Sequence, residues 1–156
     1  MRINGFFRND AGYVNALLFS EELEISETIE FLIDTGASRT TLLDKNVIYL
    51  GIEYGKLRKS EQDMSGIGGS VETYVIDDSV LLFGEYSIKT PVFVLKHPLE
   101  EMMNEEERIK ILRFPSILGR DVISRLRLIF DRVKGELLLT REEKEEVAKQ
   151  RKIETT

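Results

Sequence analysis

Asp34-Thr35-Gly36 is the part of this sequence best placed to do chemistry. The carboxylate closes the apolar run Phe31-Leu32-Ile33 and is followed by Ala37-Ser38, then by Thr40-Thr41-Leu42-Leu43. As turn chemistry the triplet is ordinary: Asp and Thr bond nearby backbone amides, and Gly permits the bend. A turn serving structure alone does not need an apolar strand on each side. That setting is expected to embed the acid in the sheet and limit its access to water. Burial disfavours the charged form of a carboxylic acid. Two such acids placed together cannot both ionise easily, so one keeps a proton while the other is charged. A water held between them is deprotonated by one as the other protonates a carbonyl oxygen. The chain holds one Asp-Thr-Gly and no Asp-Ser-Gly. A twofold-symmetric dimer supplies the second carboxylate, because a residue on the axis meets its own image.

Composition narrows the alternatives. The 156 residues suit one domain with a real core, and 42% of them are apolar. A net charge of −6 argues against a general nucleic-acid binder, which needs a basic face for phosphates. With no cysteine and one histidine, His97, the chain offers neither a thiolate nucleophile nor a Cys or multi-His metal site. No metal or cofactor is expected. A Ser-His-Asp triad would have to use His97, which precedes Pro98 in a predicted loop. The N-terminus is too polar for a secretory leader, and apolar runs such as ALLF, VLLF and VFVL are far too short to span a membrane. A soluble, cytoplasmic protein without membrane contact is the expectation.

The elements that must position Asp34 read mostly as strands. Tyr13 to Ser20 and Glu27 to Asp34 flank EELEIS as a hairpin-like pair, with Ile29, Phe31 and Ile33 at period two. Thr40 to Leu50 predicts a short strand and a helical turn, and residues 70–96 at least three further strands. The pattern changes at Leu99 to Leu112, which is rich in helix formers. Leu99, Met102, Met103 and Ile109 there predict an apolar stripe. A strand ending at Gly119, a helix from about Asp121 to Leu126 and a hairpin turning at 133–136 complete the reading.

FLIDTGAS, the glycine-rich SGIGGS and ILGRD, in that order, resemble the retropepsin family of single-domain, dimeric aspartic proteases. The resemblance spans about Tyr13 to Leu139. It implies a mainly β, closed-barrel domain over residues 1–140, with a short helix after ILGRD and a helical insertion at 99–113. A charged tail follows at 141–156. The implied activity is hydrolysis of peptide or protein substrates by a homodimer. Asp34 matches the catalytic aspartate, Thr35 the residue whose hydroxyl ties the two active-site loops across the dimer, and Gly36 the glycine whose carbonyl receives substrate backbone. Ala37 and Ser38 follow as substrate-facing residues. Met64 to Ser70 fall where the family has its flap, with Ile67, Gly68 and Gly69 at its tip; glycines suit a tip that changes shape. Ile117 matches a residue lining the cleft beside the scissile bond. Read alone, SGIGGS is a flexible turn and ILGRDVI an ordinary strand, turn and helix start, with Asp121 favourable to the helix dipole.

The sequence also departs from the family pattern. Viral members commonly carry an acid two positions after the Asp-Thr-Gly glycine, paired with the arginine of ILGR. Here that position is Ser38. Arg120 is therefore expected to pair with Asp121, Asp131 or a tail carboxylate. The charged tail puts the interleaved terminal sheet of viral dimers in doubt. Two other readings stay open: a non-catalytic peptide-binding or dimerisation module on the same fold, and a phosphate loop like that of actin-like and sugar-kinase ATPases. The second needs two lobes and about 300 residues on domain-size grounds.

Pepsin-like members often have Ser or Thr after Asp-Thr-Gly, where a hydroxyl favours the ionised carboxylate. Ala37 has none. Peptidase activity is expected to peak at roughly pH 5 to 7, and Ala37→Ser to move the acidic limb of the pH–rate profile downward. A maximum near about pH 2 contradicts this reading.

Overall fold

The computed structural model describes residues 1–61 and 71–141. Its strands are β1 (Arg2–Asn4), β2 (Phe6–Arg8), β3 (Ala11–Ser20), β4 (Ile25–Ile33), β5 (Thr41–Leu42), β6 (Arg58–Lys59), β7 (Glu72–Ile76), β8 (Val80–Phe83), β9 (Tyr86–Lys89), β10 (Val92–Lys96), β11 (Ser116–Leu118), β12 (Arg127–Asp131) and β13 (Glu136–Thr140). Three short α-helices interrupt them: α1 (Asp44–Leu50), α2 (Glu105–Arg113) and α3 (Arg120–Ile123).

The period-two reading of β4 holds at Ile29 and Phe31, with Ile33 partly buried, and β3 alternates in the same way. Val14, Ala16 and Leu18 on one strand and Ile29 and Phe31 on the other point into the core, and the strands pair antiparallel from Tyr13↔Leu32 to Ser20↔Ile25. The main sheet runs β6-β7-β10-β5-β11-β4-β3-β8-β9, with β2 added on β3. The expected closed barrel is not formed among the described residues. Among those residues the order is an open path, a curled half-barrel that ends at β6 and β9, because β6 pairs there with β7 alone, through Arg58 and Lys59, and β9 with β8 alone.

The key placement is β11. It lies between β4 and β5, which are consecutive in sequence, running parallel to β4 (Ile117↔Leu32) and antiparallel to β5 (Ile117↔Thr41). The loop carrying Asp34 must therefore pass over the end of β11. A second sheet, β1-β13-β12, joins both ends of the described chain: Ile3 pairs with Leu139, and Leu128 with Leu139 on its other side. The N-terminal strand thus finds its partner within its own chain.

The predicted helix at Leu99 to Leu112 is broken. A 3-10 turn covers Leu99–Glu101, and α2 starts only at Glu105, where the Asn104 side chain accepts the Glu106 N–H at 2.9 Å. This cap resets the helical phase, so the expected stripe does not form: Met103 is fully exposed and Ile109 is 42% exposed, while Ile111 faces inward. The first-turn acids Glu105 to Glu107 sit favourably at the positive end of α2.

His97, read as a loop residue, is buried. Its Nδ1 pairs with Asp44 Oδ2, and its N–H donates to Asp44 Oδ1 at 3.0 Å. Ser116 of β11 accepts the Leu43 N–H at 3.0 Å and donates to Asn46 Oδ1 at 2.6 Å. These bonds fasten α1 to β11 and to the segment after β10. Gly51 ends α1 at φ 66, a conformation that costs glycine little. Asp44→Ala strips two donors of their buried acceptor and is expected to destabilise the fold by about 3 kcal/mol in urea unfolding. Asp44→Asn keeps an acceptor for the His97 amide and should cost less.

Candidate active site

The Asp34 loop follows from the strand order. The Asp34 N–H donates to Leu118 O at 3.1 Å, extending the β4–β11 ladder by one residue. The chain then turns. Gly36 N–H donates to Asp34 Oδ1 at 2.9 Å and Ala37 N–H to Asp34 O at 3.2 Å. This is the local turn chemistry expected of Asp-x-Gly, and it aims one carboxylate oxygen inward at its own loop.

A part-buried clamp holds the loop from behind. The Asp121 carboxylate accepts the Thr40 N–H at 2.9 and 3.0 Å and the Thr40 hydroxyl at 2.7 Å. That hydroxyl oxygen in turn accepts the Gly119 N–H at 3.1 Å. The carbonyls of Ala37 and Ser38 accept from the Arg120 and Asp121 amides at 2.8 and 3.3 Å. Gly119 is needed for this approach: a Cβ there would lie 2.5–2.8 Å from the Arg39 backbone. Arg39 itself turns away, its guanidinium 5.1 Å from the Phe93 ring centroid.

Arg120 takes neither Asp121 nor Asp131 as its partner, and the tail carboxylates also anticipated for it lie outside the described residues. Its Nη1 donates to the Thr35 carbonyl at 2.9 Å, since Asp121 is committed to Thr40 and Asp131 accepts the Lys134 N–H in the β12–β13 turn. With Ser38 in place of an acid, the guanidinium fastens the loop through a backbone oxygen. Thr40 and Asp121 are the site-building residues that sequence reasoning missed. Asp121 looked like a dipole residue, and nothing local signals a partner 81 positions away.

Asp34, Thr35, Gly36, Ala37 and Ser38 come together on one exposed turn, and Ile117 stands beside it, level with Leu32 on the non-core face of the sheet. Asp34 is only half-buried in the protomer, so the water exclusion expected from its flanking strands is not supplied by one chain. Asp34 Oδ2 and the Thr35 hydroxyl have no partner among the described residues. Ile67, Gly68 and Gly69 lie outside the described residues. Among the described residues no cluster of His, Asp and Glu side chains could hold a metal ion. A cavity of about 660 Å³ opens beside α1 rather than over Asp34, lined by Asp44, Tyr54, Glu72, Lys96 and His97 among others. Burial there, with the nearby Asp44 charge adding to it, pushes the Tyr54 phenol well above its ordinary pKa.

Comparison with known proteins bears on this arrangement. The profile of the retroviral aspartyl protease family matches residues 13–130. The fold is similar to the crystal structure of a retropepsin-like aspartic protease from Rickettsia conorii, with a TM-score of 0.55 and 19% identity, covering 90% of this chain and 89% of that one. EIAV protease complexed with the inhibitor HBY-793 is also similar, with a TM-score of 0.48 and 22% identity over 76% of this chain and 90% of that one. No curated protein gives a significant match.

Two glycine substitutions separate the clamp from the turn. Gly119→Ala forces a methyl into the Arg39 backbone and is expected to cost about 3 kcal/mol or more in chemical unfolding. Gly36→Ala meets only Asp34 Oδ1, at 3.1 Å, and should cost about 1 kcal/mol or less while displacing that carboxylate.

Proposed function

The chain belongs to the retroviral aspartyl protease family, and from that premise we propose that it is an aspartic endopeptidase completed by a homodimer. The observation that carries the proposal is the unfinished half-site. Everything behind the Asp34 loop is hydrogen-bonded, while Asp34 Oδ2 and the Thr35 hydroxyl face outward with no partner among the described residues. A second copy related by a twofold axis supplies matching groups to both, as an isologous contact requires.

In the dimer the two Asp34 carboxyls share one proton, because adjacent like charges resist double ionisation. The charged Asp34 takes a proton from a bound water as its oxygen attacks the scissile carbonyl carbon. The other Asp34 gives its proton to the carbonyl oxygen, forming a neutral tetrahedral diol. Collapse of the diol breaks the C–N bond, the amine leaves with a proton from one carboxyl, and a hydroxyl proton returns to the other. The dimer also provides the water exclusion that one protomer lacks. Substrate lies extended, with its backbone received at Gly36 and its side chains against Ala37, Ser38 and Ile117. The Arg120 bond to the Thr35 carbonyl keeps that edge of the loop in place as peptide binds.

The test pairs activity with association. Wild-type protein should sediment as a dimer and cleave members of a peptide library. Asp34→Asn should remain dimeric and lose roughly 10²–10⁴-fold or more of the rate. Peptide binding by both proteins with cleavage by neither would establish a non-catalytic peptide-binding module instead. A monomer at micromolar concentration that still cleaves would rule out the shared-proton mechanism.

A further inference from the structure

A groove of about 800 Å³ lies between β9, the end of α3 and the end of β13, away from the Asp34 turn. Lys89, Arg125, Arg127 and Arg141 line it, together with Tyr86, and among the described residues no Asp or Glu does. In a chain of net charge −6 this is an unusual collection. Elsewhere four arginines pair with carboxylates: Arg2 with Glu136, Arg8 with Glu30, Arg58 with Asp77 and Arg132 with Asp10. Lys89, Arg125 and Arg141 pair with none among the described residues. Arg125 donates only to the Lys89 carbonyl, at 3.3 Å, and Arg141 donates to the Tyr86 hydroxyl at 2.6 Å with its guanidinium 5.0 Å from the ring centroid. Lys89, Arg125 and Arg141 thus make only neutral contacts among the described residues, which leaves their positive charge for an anion.

The chain itself carries a matching acidic run, which follows Arg141 directly in sequence. Arg141 N–H bonds to the Met1 carbonyl at 3.3 Å, which fixes where the backbone leaves the β1–β13 pair. The next five residues are Glu142-Glu143-Lys144-Glu145-Glu146. Five extended residues reach roughly 17 Å, enough to cross the groove from its Arg141 end. A segment tethered there has an effective concentration in the millimolar range, beyond what a free acidic peptide ordinarily reaches.

We propose that the basic groove is the binding site for the acidic segment Glu142–Glu146 of the same chain, held by Lys89, Arg125 and Arg141. Because α3 begins at the Asp34 loop and ends at this groove, the docked segment braces the far end of the helix whose first residues hold Thr35 and Thr40.

The full-length protein is treated with a zero-length carbodiimide and the amide links are located by mass spectrometry. A link from Lys89 to one of Glu142, Glu143, Glu145 or Glu146 is expected at about 20 mM salt, falling severalfold at about 0.5 M, where surface charges are screened. A missing link, or one insensitive to salt, overturns the proposal. So does a Lys89 link formed only to an added acidic peptide and not to the chain's own glutamates. A second measurement leaves the tail sequence untouched: in the K89M/R125M double variant at low salt, trypsin should cut after Lys144 about fivefold faster than in wild type. Equal rates overturn the proposal.

Discussion

The carboxylate of Asp121, accepting both the amide and the hydroxyl of Thr40, is the interaction on which the rest of this structure hangs. It closes β11 into the slot between β4 and β5, and it does so at the point where the Asp34 loop must turn back. Gly119 permits the approach by having no side chain to place against Arg39. Charge-assisted bonds in a part-buried setting are among the stronger non-covalent constraints available to a small domain. Here one carboxylate fixes two backbone segments 81 residues apart.

From that constraint the asymmetry of the site follows. The inner side of the Asp34 loop is tied to β11 and α3 by backbone bonds and by Arg120. The outer side keeps a carboxylate oxygen and a hydroxyl that have no partner among the described residues. Polar groups left on a rigid, well-supported surface suit recognition across an interface, because little ordering remains to be done when the partner arrives. Both terminal strands pair within the chain, so association does not require them to be exchanged.

Buried polar pairs do comparable work away from the site. Asp44 with His97 and Ser116 with Asn46 tie α1 to its neighbours with every buried side-chain atom among the described residues satisfied. Asp and Glu outnumber Lys and Arg by 28 to 22, and Arg2, Arg8, Arg58 and Arg132 each pair with a carboxylate. In the groove at Arg141, Lys89, Arg125 and Arg141 have no carboxylate partner among the described residues.

Much of this was legible in the sequence. The alternation of Ile29 and Phe31 marked β4, the Asp-Thr-Gly marked the turn that ends it, and ILGRD marked β11 and α3, because strand periodicity, turn chemistry and a short motif are all written in neighbouring residues. The helical stripe at 99–112 failed because one Asn104 cap restarts the helix in a new phase. The closed barrel failed because closure depends on which edges meet, and no single strand carries that information. The partners of Arg120, Asp121 and His97 were likewise invisible: each lies decades of residues away and is chosen by the insertion of β11 between β4 and β5. By itself the sequence determined that an acid stands at the end of a buried strand. Only the tertiary structure decided which groups would hold its loop, and which would be left facing outward, because hydrogen bonds between distant segments exist only once the chain has brought them within reach.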